Sequence, residues 1–118
     1  MALKKRSETV TLKAQQNENV FLTITIGNAQ IGGNFVKFKN SQDALAKGEV
    51  QNLNLGLGSS LIGKTLKVTT NILDANSQTN GIVVTYFFQS CTPPVTVFHD
   101  TVINDGDVFS FLVDFNFK

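Results

Sequence analysis

The chain has 118 residues, long enough for one domain with a substantial core, and its net charge of +1 provides no electrostatic footprint for nucleic acid or an anionic membrane. Charged residues make up only 16% of it, against a usual quarter, and Asn, Gln, Thr and Ser fill the gap. The single cysteine, Cys91, excludes an intrachain disulfide, and ten Phe beside one Tyr and no Trp point to an aromatic core rather than a ligand platform.

Residues 1–7 (MALKKRS) hold a basic triplet with no continuous apolar run behind it. They read as a flexible basic tail, not a signal peptide, which makes the cytoplasm the default location, or an exported or released particle. Segment 8–14 alternates, with Val10 and Leu12 facing inward. After the polar turn QQNEN, segment 20–26 puts Val20, Leu22, Ile24 and Ile26 on one face and Phe21, Thr23 and Thr25 on the other. Its threonines and its length exclude a membrane span. Glycines punctuate the approach to a third strand, 35–39.

Segment 41–48 (SQDALAKG) is the one helical signal, with Ser41 as N-cap, Asp43 in the first turn, Lys47 in the last and Gly48 as the stop. Alternation returns in 50–57 through Leu53, Leu55 and Leu57. Segments 65–73 and 81–89 are expected to form a hairpin around the turn-rich 74–80, and SCTPP then stops the second strand. A weaker strand at 95–102 and a tight turn at 104–107 lead into 108–117, VFSFLVDFNF.

That last segment organises the rest. Phe109, Phe111, Val113, Phe115 and Phe117 form an unbroken apolar row. Burying each such side chain is worth roughly 1.5–3 kcal/mol, so the row alone rivals the about 5–15 kcal/mol net stability of a whole domain. About eight short strands separated by turn clusters predict an all-β, single-domain antiparallel β-sandwich over 8–118, with at most one short helix near 41–48. The resemblance to immunoglobulin-like or jelly-roll sandwiches is architectural, and architecture does not carry function.

Four constellations bear on chemistry. Gly58, Gly63, Lys64 and Thr65 satisfy the phosphate-loop pattern G-x-x-x-x-G-K-[ST], but TLKVTTNIL after it reads as a strand where the motif needs a helix, so the match is coincidental. If 74–80 and 103–107 lie at one end, they gather Asp74, Asn76, Asp100, Asp105 and Asp107; turn preferences account for all five, and a Ca²⁺ site is the chemical alternative. Cys91, His99 and Asp100 are a thin nucleophilic set, and one Cys with one His provides no zinc spacing. Finally, Phe21, Val83 and Phe87 fall on strand faces otherwise carrying Thr, Lys or Gln, which marks an interaction surface if they cluster.

The function expected from these features is a non-enzymatic structural, assembly or protein-interaction subunit, self-associating as a homo-oligomer and needing no cofactor. The alternative is a ligand-binding module for carbohydrate or a lipid headgroup, assisted by Ca²⁺ at the 74–80 and 103–107 loops. Neither reading involves nucleic acid or a transmembrane segment.

Overall fold

A computed structural model describes residues 2–118; Met1, the first residue of the expected tail, lies outside the described residues. The strands are β1 (Leu3–Ala14), β2 (Asn19–Ile26), β3 (Ile31–Phe38), β4 (Ala46–Gly48), β5 (Leu53–Leu57), β6 (Thr65–Leu73), β7 (Gly81–Gln89), β8 (Cys91–Thr92), β9 (Val95–Thr101) and β10 (Val108–Phe117). Among the described residues a single four-residue helix, α1 (Gly58–Leu61), follows β5. The strands build a six-stranded sheet ordered β4-β3-β6-β10-β1-β8 and a four-stranded sheet ordered β5-β2-β7-β9. The core lies between them, and the fold is an all-β sandwich.

β10 sits in the interior of the larger sheet, antiparallel to β6 and parallel to β1, with Leu3 opposite Val108 and Leu12 opposite Phe117. Its inward row, Phe109 to Phe117, is buried throughout. The rings interlock rather than merely fill space. Phe115 lies 4.7 Å from Phe88 and 5.2 Å from Tyr86 of the opposite sheet, both tilted. Phe109 and Phe111 are 4.4 Å apart on β10 itself. Such offset arrangements add about 0.5–1.5 kcal/mol per pair beyond the area they bury.

Four expectations are corrected. Residues 3–7 are not a frayed tail: they open β1, whose backbone pairs with the first half of β10. Lys4 and Arg6 lie on the inward parity of β1, and their cationic heads sit over Phe109 (5.5 Å) and Phe111 (5.9 Å), so their stems extend the core cover that Val10 and Leu12 begin.

Segment 41–48 is not helical. Ser41 Oγ accepts from the Asp43 N–H in a local turn, Leu45 N–H donates to Val36 O, and Ala46 to Gly48 pair with β3. The open edge of β3 offers more ladder bonds than a one- to two-turn helix can form against its nucleation cost.

β6 and β7 are not a hairpin either. β6 belongs to the larger sheet and β7 to the smaller, and 74–80 crosses between the layers. The crossing puts Leu66, Val68, Thr70 and Ile72 opposite Ile82, Val84, Tyr86 and Phe88 across the core instead of beside them. β3 also begins at Ile31, four residues before the expected start.

Candidate interaction surface

β2, β7 and β9 lie side by side, and their outward parity is set by the same alternation that buries Leu22, Val84 and Phe88. Phe87 stands opposite Thr23 on one side and Val95 on the other; Thr85 stands between Thr25 and Val97; Val83 is opposite His99. Phe21, paired with Gln89, is the diagonal neighbour of Phe87, while Val97 is diagonal to both Phe87 and Val83. The three residues singled out in the sequence thus share one face and are linked through Val95 and Val97. Phe87, Val95 and Val97 are 39%, 47% and 43% exposed, and Phe21 and Val83 are half-buried.

Val95 and Val97 were not among the sequence candidates. The parity of VTVFHDT sets them on the side opposite Phe98, a residue packed against the core, but with apolar residues on both parities the sequence alone does not say which side faces out.

This face has a second property: none of the outward positions of β2, β7 and β9 is Lys, Arg, Asp or Glu. It is composed of threonine, valine, phenylalanine and amides, with His99 near one end. The outer face of the larger sheet differs. There Lys37, Lys67 and Asp114 lie in one register row, with Lys67 Nζ 3.1 Å from Asp114 Oδ1.

The single carboxylate of β9, Asp100, points to the other side. It receives Lys4 Nζ on Oδ1 (2.8 Å) and Arg6 Nη1 on Oδ2 (3.2 Å). Partial burial works against its charge, but hydrogen bonds from Lys4 and the Thr101 N–H, with the charge of Lys4, hold the carboxyl below its ordinary value. Arg6 is pushed the other way, chiefly by its hydrogen bond to Glu8.

The 74–80 and 103–107 loops do meet, although not through a hairpin: Asp74 N–H donates to Asp107 O, and Gly106 N–H donates to Asp74 O, each at 2.9 Å. Their acidic side chains do not converge on one point, and Asp74 Oδ2 is buried without a hydrogen-bond partner. Asp107 accepts from the N–H groups of Ala2 and Asn104, which hold it below its usual range. Asp74, 2% exposed, accepts from Gln30 Nε2 at 2.6 Å. Asn76 Oδ1 caps the Gln78 N–H, Asp105 is exposed, and Asp100 is held by the two cations of β1. Among the described residues no three His, Cys, Asp or Glu side chains come together to hold a metal ion.

The phosphate-loop pattern has a packing explanation. α1 lies inside the pattern, and Thr65 opens strand β6 rather than a helix. A Cβ on Gly58 would run into the carbonyl of Gln15, and Gly63 turns at φ +85°, so both glycines are demanded by backbone geometry. Lys64 Nζ lies 5.4 Å from the Phe38 ring centre, and Thr65 Oγ1 donates to Asn116 Oδ1.

Cys91 and His99 are kept apart: Cys91 pairs with Ala14 in the larger sheet and is buried, whereas His99 faces outward from the smaller one. Burial pushes the Cys91 thiol up to about 11, the opposite of what a nucleophile needs.

No helix among the described residues is long and apolar enough to cross a membrane. Comparison with known protein families, with curated proteins and with solved structures finds no match. The fold and surface define the class, an all-β sandwich domain.

Proposed function

We propose that the protein is a non-enzymatic structural or assembly subunit that self-associates through the outer face of its four-stranded sheet. The observation that carries this reading is the charge-free face on which Phe21, Val83, Phe87, Val95 and Val97 converge. An isologous contact sets a patch against its own copy, so a charge near the symmetry axis meets its like; a face without Lys, Arg, Asp or Glu avoids that penalty. Exposed valine and phenylalanine supply the apolar area, and intervening threonines keep the isolated subunit wet. The buried Cys91 and the scattered carboxylates support a role in binding rather than in catalysis.

Light scattering coupled to gel filtration over a wide concentration range tests it. The expected result is a mass that rises with concentration for the wild type and stays monomeric for Phe87→Lys and Val97→Lys. A wild-type chain that remains a strict monomer at the highest attainable concentration overturns the reading.

A further inference from the structure

We propose that a cleft on the side of the sandwich, where β2 and β3 run past their neighbours, binds a neutral, hydroxyl-rich small molecule such as a monosaccharide or polyol. β5 covers β2 only as far as Leu22, and β4 covers β3 only from Asn34, so both strands run on without those edge partners. The opening is a cleft of about 410 Å³, within the roughly 300–1,000 Å³ of small-molecule sites.

Its chemistry narrows the occupant. Glu49 is the only charged residue in the lining, which has no Lys, Arg or His, so phosphate and other anions find no counter-charge. One carboxylate does not make a site for a divalent cation, which takes several oxygen ligands. An added peptide strand is blocked because Val50 O already accepts from Ile24 N–H at 3.0 Å along that edge of β2. The lining is too polar for a lipid tail. What it offers is both halves of a hydrogen bond, as a sugar hydroxyl requires: the Thr25 hydroxyl, the Gln51 amide and the Glu49 carboxylate, over an apolar floor at Ile26.

Asn34 supplies the fixed donor. It is 7% exposed and lines the cleft; its Oδ1 accepts from Thr70 Oγ1 (2.8 Å), and one amide proton goes to Gly48 O (3.0 Å). An amide has two protons, so one N–H is left for a ligand, in an orientation locked from within the core. Thr70 Oγ1 is in turn 2.7 Å from the Tyr86 hydroxyl, which anchors the chain of bonds between the sheets. Thr23 and Thr25 of the lining also stand in the rows of Phe87 and Val97 on the outer face, so the titration is run at a concentration where the chain is monomeric, which keeps its outcome distinct from that of self-association.

The test is an amide ¹⁵N–¹H NMR titration of the full chain with neutral monosaccharides, disaccharides and glycerol, beside sodium phosphate and CaCl₂. The expected result is saturable shifts centred on Thr25, Gly32, Asn34 and Gln51 with at least one neutral polyol, and at least tenfold weaker binding in Glu49→Ala and Gln51→Ala. Both variants change exposed side chains, and their unchanged spectra elsewhere confirm folding. No saturable shift with any neutral polyol overturns the proposal. So does an equal response to phosphate or Ca²⁺, or binding that survives both substitutions.

Discussion

Arg6 of β1 and Asp100 of β9 form an ion pair across the open side of the sandwich, Nη1 to Oδ2 at 3.2 Å, joining the two sheets where no strand does. The same guanidinium donates to the His99 carbonyl (3.0 Å) and lies over the Phe98 ring at 5.3 Å, while Lys4 Nζ donates to the Thr101 carbonyl (3.0 Å). β9 is an edge strand, and these are the groups an edge strand leaves open to other chains. Lys4 and Arg6 therefore close the core and blunt an edge at once.

Replacing both Lys4 and Arg6 with alanine is expected to lower stability by about 1–2 kcal/mol, mostly through lost cover over the aromatic rings, since a partly exposed ion pair contributes little. It is also expected to promote edge-to-edge aggregation. Urea unfolding and thioflavin fluorescence on prolonged incubation check the two effects separately.

Asp100 and Asp107 both have carboxyls held below their ordinary value by hydrogen bonds in the folded state. The folded chain thus binds these protons less readily than the unfolded chain does. Their contribution is fully present above the unfolded-state value of about 3.9 and is lost as pH falls through the lower folded-state values. The urea midpoint is expected to drop between about pH 6 and about pH 2, and to drop less in Asp100→Asn with Asp107→Asn.

Phe115 touches Tyr86 and Phe88 in the opposite sheet, so Phe115→Ala opens a cavity where the two layers grip. The expected loss is about 3–5 kcal/mol by chemical denaturation. Removing 108–118 deprives both β6 and β1 of their partner and is expected to yield an unfolded or aggregating product.

Within the phosphate-loop pattern the two ends should behave oppositely. Gly58→Ala forces a Cβ against the Gln15 carbonyl and is expected to cost about 1–3 kcal/mol. Lys64→Ala loses only an exposed contact with Phe38, about 0.5–1 kcal/mol, and isothermal titration is expected to find no nucleotide binding in either the wild type or the variant.

How far the sequence reached depended on whether period two had a single answer. In VFSFLVDFNF one parity is wholly apolar, and the structure buries that parity; in Phe21 and Phe87 a large ring interrupts a run of polar outward residues, and both prove to share a face. VTVFHDT has apolar residues on both parities, so Val95 and Val97 could not be sorted from Phe98 without the partner strand. The segment LKKRS looked like a tail because its strand partner, Val108 to Leu112, lies more than a hundred residues away and its cations cover rings that no local pattern reveals. The cleft behind Asn34 was out of reach for the same reason: it exists only because β4 and β5 stop short of their neighbours' ends.

The claim that the charge-free face is the assembly surface is tested most directly by methyl NMR of the wild-type chain at increasing concentration. The methyl signals of Val83, Val95 and Val97 are expected to move together while those of Leu3, Ile31 and Leu73, exposed on the opposite sheet, stay fixed. Movement of the second group with the first unmoved would contradict it.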